Sequence, residues 1–263
     1  MPILCERGEA QDPALRPAGG HGMTTFILAS ASPRRLQLLG QIGLTPAKVI
    51  HPEIDETPHK AEIPGKYALR IAGAKAAAIA TQQPDSVILA ADTVAAAGRR
   101  ILPKAEDEKT ARKCLELLSG RRHRVYTAVC VISPLRSPLE GDQTSASLKD
   151  AARVVGGICN AVVTPRGSSV VTDVTRFRPL PLKGGAEVSV RLVMTQLRFL
   201  RLGAKEIDAY IATGEWRGKA GGYGIQGKAE AFIPWMSGSY SNVVGLPLAE
   251  TACMLAAAGI NPW

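Results

Sequence analysis

The stretch Ser86-Val-Ile-Leu-Ala-Ala91 is apolar at every position after its serine. A strand with one wet face alternates polar and apolar residues, so an unbroken run of this length reads as a strand covered on both faces. It ends in Asp92-Thr93. Residues 124–132 alternate at first and then turn wholly apolar, a second central strand. Helical signals fall around these two. One helix opens at Pro33, with Leu36 and Leu39 beginning its apolar stripe; another runs from Pro64 to about Gln82, with Tyr67, Ile71, Ala74 and Ala78 on one face. Others are expected over 106–119, with acid in the first turn and Gly120 behind the last, over 205–213, closed by Gly214, and from Pro247 to near Gly259. A strand is expected over 192–202. Buried strands alternating with helices predict a layered α/β fold containing parallel strand pairs.

The segment Leu28-Ala-Ser-Ala-Ser-Pro-Arg-Arg35 joins a short apolar stretch to one of those helix starts. Ser32 suits the N-cap and Pro33 the first helical position. Backbone N–H groups, two hydroxyls and two guanidinium groups then gather at one helix N-terminus, which favours a polyphosphate. An ordinary capped helix with surface arginines reads the same way, and local physics does not separate the two.

Three more features bear on chemistry. Asp92 follows a buried strand, and ligands in open α/β sheets sit beyond the carboxyl ends of strands, where an aspartate holds a metal or takes a proton. A strand-end aspartate also caps turns. Lys104 follows a Gly-Arg-Arg turn, and a lone lysine is most often a solvated charge. In Lys219-Ala-Gly-Gly-Tyr-Gly-Ile-Gln-Gly227 the missing side chains let backbone N–H groups approach a ligand, while Gln226 offers one donor group and one acceptor to a base edge. An ordinary flexible loop would have the same glycine density.

The 263 residues are 46% hydrophobic, enough for a sizeable core and against global disorder. No apolar run nears the roughly 20 residues of a membrane span. Cys5, Cys114, Cys130, Cys159 and Cys253 are scattered, odd in number and without a CxxC pair, so they read as reduced thiols, not disulfides or a zinc site. The net charge is +9; residues 1–22 hold two basic and three acidic side chains and residues 135–188 seven and five, so the surplus lies with the motifs above. Such an excess suits a nucleotide or a nucleic-acid backbone. Aromatics are only 5% of residues and do not interleave with the basic clusters, which argues against a nucleic-acid face.

Six motifs together resemble the Maf family of nucleoside triphosphate pyrophosphatases. They are Leu-Ala-Ser-Ala-Ser-Pro-Arg-Arg, Ala-Ala-Asp-Thr, Leu-Ser-Gly-Arg-Arg-His-Arg-Val-Tyr-Thr-Ala-Val, Glu-Ile-Asp-Ala-Tyr, Lys-Ala-Gly-Gly-Tyr-Gly-Ile-Gln-Gly and Ser-Tyr-Ser-Asn-Val-Val-Gly-Leu-Pro-Leu. They occur in the family's order, and the match covers residues 26–134 and about 192–259. The resemblance implies an α/β fold with a mixed β-sheet flanked by helices, in two lobes around a deep cleft. It implies hydrolysis of a nucleoside triphosphate to the monophosphate and pyrophosphate with a divalent cation (Mg or Mn), a cytoplasmic house-cleaning role and a homodimer.

Residue by residue, the resemblance makes Asp92 the catalytic base and a metal ligand. The chemistry of phosphoryl attack, which needs charge offset by a metal, makes Glu53 a further candidate metal carboxylate, with Asp55 and Glu56 as additional candidates. Arg34, Thr93 and Gln226 match positions tied to substrate choice. Ser30, Arg35, Lys75, Lys104 and Lys219 match positions around the triphosphate or the metal. Asp-Thr with a later Tyr-Gly-Ile-Gln-Gly is similar to the branch that prefers dTTP and UTP; the branch acting on 7-methyl-GTP has Asp-Gln and a Ser-Phe loop. Another nucleotide preference, modified nucleotides included, and a non-enzymatic division regulator or nucleic-acid binder are the alternatives.

The chain departs from the family pattern in two places. Pro103-Lys104-Ala105 stands where Gly-Lys-Pro or Glu-Lys-Pro is usual. Residues 135–188, rich in Ser, Gly and Pro, replace a short turn, with strand-like islands at 158–163 and 169–174. Residues 172–180 look like a second copy of the strand expected at 192–202 and compete with it for one place in the sheet. A partial duplication and a frame error both account for the segment, and a surface insertion that leaves the core intact is expected. Residues 1–22 read as a flexible leader or as sequence upstream of a start at Met23, leaving 23–263 as one domain.

Overall fold

The computed structural model describes residues 25–134 and 186–263. The leader, Met23, Cys5, Cys159 and the strand-like islands at 158–163, 169–174 and 172–180 lie outside the described residues.

The chain begins with β1 (Phe26–Ala29), α1 (Pro33–Gln41), β2 (Lys48–Ile50) and α2 (Pro64–Ala80). The hairpin of β3 (Val87–Ala97) and β4 (Arg100–Ile101) follows, then β5 (Lys104–Ala105), α3 (Glu108–Leu118) and β6 (Arg122–Pro134). After the intervening segment come β7 (Ala186–Arg198), α4 (Ala204–Ala212), β8 (Lys219–Ala220), a 3₁₀ turn (Lys228–Phe232), β9 (Trp235–Ser237), α5 (Tyr240–Val244) and α6 (Leu248–Ala257). The main sheet has the order β2-β1-β3-β6-β7-β9, with β4 paired to β3. β1 runs parallel to β2 and β3, while β3, β6, β7 and β9 are antiparallel in turn. This is the mixed sheet flanked by helices that the motifs imply.

Alternation along β3 sends Ile88, Ala90 and Val94 to one face and Leu89, Ala91 and Ala95 to the other, and each face has its own core. α2 covers the first face. Its small residues Ala68, Ala72 and Ala76 recur every four positions and let the helix lie close on the sheet. The second face packs under α1, α3, α4 and α6, with Trp216, Tyr210 and Phe199 as its largest fully buried side chains. Asp107 caps α3 by accepting the Thr110 N–H at 2.7 Å.

Four local expectations are corrected. Leu36 is 40% exposed; Arg35, Leu38 and Leu39 are the residues that α1 turns inward. On α2 the buried face carries Lys75 along with Tyr67 and Ile71, whereas Ala74 and Ala78 are half-buried. The strand expected over 192–202 runs Ala186–Arg198, because β6 pairs along its whole length with β7, from Arg122↔Arg198 to Pro134↔Ala186. Most consequentially, the strand expected to end before Asp92 continues to Ala97.

The β6–β7 ladder also locates the atypical segment. Its two described ends, Pro134 and Ala186, face each other at the tip of the hairpin. Asp92 pairs with Ala128, six residues from Pro134, so those ends lie roughly 20 Å along the strand from Asp92.

Candidate active site

The site is built where β1 stops. The last β1–β3 pair is Ala29↔Ala90. Beyond it β3 keeps β6 on one side but has lost its parallel neighbour on the other. Side chains from both faces of β3 can therefore reach one notch, Asp92 from the α2 face and Thr93 from the opposite one. The carboxyl end of β1 delivers Ser30 and the start of α1 to the same notch, as the general rule for open α/β sheets anticipates. A cavity of about 340 Å³ results, bounded across from β3 by the β5–β8 pair, the loop 221–227 and Gly245.

Arg35 is 8% exposed and acts as a strut. Its guanidinium donates from Nε to the Gly245 carbonyl at 2.8 Å, from Nη1 to Ser30 Oγ at 2.9 Å and from Nη2 to Thr93 Oγ1 at 3.3 Å. Burial lowers its pKa, and the nearby Asp92 charge opposes the shift. Ser30 Oγ also accepts the Ser32 N–H at 3.1 Å, so its own O–H is what remains to offer a ligand. Ser32 occupies the N-cap position of α1, but its side chain makes no capping bond. Of the two arginines, Arg34 is the one left half-buried at the cavity wall with no such tie to the frame.

Opposite lies an ion cluster. Lys75 Nζ is 2.7 Å from Asp92 Oδ1 and 2.8 Å from Glu56 Oε1, while Lys104 Nζ is 2.7 Å from Glu56 Oε2. Burial alone would raise the Glu56 pKa; hydrogen bonds from Lys104 and Lys75 outweigh it and hold the carboxyl at about 2. The Tyr67 hydroxyl donates to the Glu56 carbonyl at 2.8 Å, fixing this loop to α2. Lys104 reaches the cavity because β5 pairs with β8, which sets Lys104 opposite Ala220 and Ala105 opposite Lys219. Lys219 donates to the Glu215 carbonyl, and burial, then Arg34, lower its pKa.

The glycine loop packs on α3: at Gly222, where φ is +69°, a Cβ would meet the Ala111 Cα at 3.1 Å. Gln226 is exposed at the cavity wall. Tyr223 and Ile225 of the same loop are buried and also line the cavity.

Ser30, Arg34, Arg35, Lys75, Asp92, Thr93, Lys104, Lys219 and Gln226 thus converge on one cavity. Glu53 does not: it is exposed and outside the lining, and Glu56, three residues on, faces the cavity instead. An irregular segment, 51–63, carries both carboxylates, so no periodicity in the sequence could choose between them. Sequence reasoning also missed the Gly245 carbonyl that holds Arg35, and Thr127, whose Oγ1 lies 3.0 Å from Thr93 Oγ1 and donates to the Asn242 carbonyl at 2.8 Å. Both lie in motifs read as whole strings, which was the only signal available for them.

Five cationic side chains and two carboxylates line the cavity, a balance suited to a polyanion. Among the described residues no group of three or more His, Cys, Asp or Glu could hold a metal ion. Asp92 and Glu56 are the lining carboxylates that a hard divalent cation could use, together with phosphate oxygens, but the Lys75 ammonium now bridges them, 2.7 Å from Asp92 and 2.8 Å from Glu56. Among the described residues no helix is long and apolar enough to cross a membrane.

The profile of the family described as Maf-like protein matches residues 25–155 and 162–258. A protein of Novosphingobium aromaticivorans named dTTP/UTP pyrophosphatase is 47% identical over 236 residues, covering 90% of this chain and 92% of that one. A Rhodospirillum rubrum protein of the same name is 46% identical, covering 90% and 89%. One from Anaplasma phagocytophilum named nucleoside triphosphate pyrophosphatase is 42% identical, covering 89% and 95%. Matched by the family profile over most of its length and alike in sequence to these relatives along about nine-tenths of it, the chain belongs to the Maf family.

Proposed function

We propose that this protein hydrolyses nucleoside triphosphates, dTTP and UTP foremost, to the monophosphate and pyrophosphate. One observation carries the reading: the serine-arginine turn and the Asp92–Lys75–Glu56 cluster face each other across a single cavity. The names of the relatives, dTTP/UTP pyrophosphatase and nucleoside triphosphate pyrophosphatase, support it.

Release of pyrophosphate requires water to attack the α-phosphorus while the bond to the bridging oxygen breaks. Asp92 takes the water's proton, and Lys75, bonded to it, keeps the carboxylate oriented. The Ser30 hydroxyl, Arg34, Lys104 and Lys219 hold the phosphates; Arg35 fixes the frame they hang on. Asp92 and Glu56 would hold a divalent cation, which offsets charge on the phosphoryl oxygens when bound. Gln226 reads the O4 and N3–H edge of uracil or thymine, whose donor and acceptor match an amide. The buried thiols of Cys114 and Cys130 support a reducing compartment such as the cytoplasm.

Pyrophosphate release from a panel of triphosphates (dTTP, UTP, CTP, dGTP and 7-methyl-GTP), with Mg²⁺, Mn²⁺ or chelator, tests the reading. dTTP and UTP should lead, and Asp92→Asn should lower kcat by about 10³ while substrate still binds. An active Asp92→Asn enzyme, or no release from any triphosphate, would overturn it.

A further inference from the structure

The motif around β6 has so far contributed only its threonine. His123, Val125 and Thr127 share one face of that strand, and each meets a different part of the site. Thr127 braces Thr93, and Val125 lines the cavity. His123 lies behind the glycine loop, 2% exposed, with its Nε2 2.6 Å from the Tyr223 hydroxyl.

That contact is well enclosed. The His123 ring sits edge-to-face on Phe199 and on Tyr223, with centroids 5.1 and 5.4 Å away, and Phe199 packs on Tyr223 at 4.9 Å. Burial holds the His123 pKa at about 4, so the ring is neutral at physiological pH. Its Nδ1 is buried with no hydrogen-bond partner among the described residues. A leucine would fill this place without an orphaned polar atom, so what histidine adds is the bond to Tyr223.

Tyr223 is the one long side chain that the loop sends inward between Gly222 and Gly224. A second tie is adjacent: the Gly224 N–H donates to the Tyr210 hydroxyl at 3.0 Å. A segment with glycine at 221, 222, 224 and 227 has much backbone freedom to lose, and a loop ordered beforehand binds its ligand at lower entropic cost.

We propose that His123 is a positioning residue for nucleotide selection, holding Tyr223 so that the loop presents Gln226 to the base. The inference rests on the base-reading function proposed above. His123 lies outside the cavity lining and acts through Tyr223.

Glutamine carries its amide about where the histidine Nε2 stands, whereas leucine removes the bond. His123→Leu and Tyr223→Phe should each raise KM for UTP about fivefold to tenfold, as expected for one lost hydrogen bond, with kcat falling less than about threefold. His123→Gln should stay within about threefold of the wild-type KM, and the double variant His123→Leu with Tyr223→Phe should be no worse than either single one. In nucleotide-free protein, hydrogen exchange at the amides of 222–227 should quicken at least about fivefold in His123→Leu and Tyr223→Phe, with α2 unchanged. Unchanged loop exchange, or His123→Gln as impaired as His123→Leu, overturns the assignment. If the wild-type protein releases no pyrophosphate from UTP, the proposed activity fails, and the exchange data still decide what His123 does.

Discussion

Lys75 is the group whose removal the structure makes most informative. Its ammonium is buried on α2 and is shared by two carboxylates, Asp92, itself 4% exposed, and Glu56. Lys75→Met keeps the length and packing of the stem while leaving the buried Asp92 carboxyl without its ammonium partner. Breaking a buried pair from one side costs about 3–5 kcal/mol; because Glu56 is partly solvated, the lower end applies. At about 2–4 °C per kcal/mol for a chain of this size, Tm should fall by roughly 6–12 °C in chelator.

The same vacated cation position should attract a divalent ion, which would stabilise Lys75→Met by about 2.7 kcal/mol at a hundredfold excess over its Kd. Thermal melts with chelator and then with increasing Mg²⁺ measure both effects, the wild type gaining less from the metal. Lys104→Met is the control: that side chain is half exposed and, among the described residues, pairs with Glu56 alone, so its loss should cost under about 1 kcal/mol. Equal losses in the two variants, or a Lys75→Met protein that melts like the wild type, would refute the claim that one buried ammonium balances the cluster.

Two further outcomes follow from the site. Gln226→Ala should reduce discrimination between UTP and CTP about tenfold, more than it slows turnover on a saturating substrate; equal loss on every nucleotide in a kcat/KM comparison would count against base reading. Glu56 is held at about 2 in the folded protein against an ordinary 4.5, so its stabilising contribution is complete above pH 4.5 and drains away as pH falls toward 2. Urea midpoints measured from pH 6 to pH 3 should therefore fall with acid, and Glu56→Gln should flatten that slope.

Much of this architecture was legible residue by residue. Pro33 and Pro64 open α1 and α2 because a fixed φ and a missing N–H suit the first turn, and Gly120 and Gly214, at positive φ, follow the ends of α3 and α4. The apolar run before Asp92 announced a strand buried on both faces. Where reading failed, the decisive partner was distant in the chain. Strand β3 continues past Asp92 because residues 124–128 and the β4 hairpin pair with it, although Asp-Thr locally resembles a strand end. The sequence also left unseen what orients Arg35: the Gly245 carbonyl, 210 residues away, accepts its Nε–H. Glu56, not Glu53, enters the site because Lys75 and Lys104 reach it from two other elements.

By itself the order of amino acids determined which chemical groups this protein carries and on which kinds of element, since capping, turn preference and side-chain periodicity act over a few residues. It also determined the family, because six motifs in one order are a property of the string. Only the tertiary structure decided which groups meet. β1 is four residues long and β3 is eleven, and the notch left by that difference in length brings Asp92 and Thr93, from opposite faces, into one cavity with a helix start, a buried lysine and a glycine loop. Strand pairing, not local preference, sets where such a notch falls.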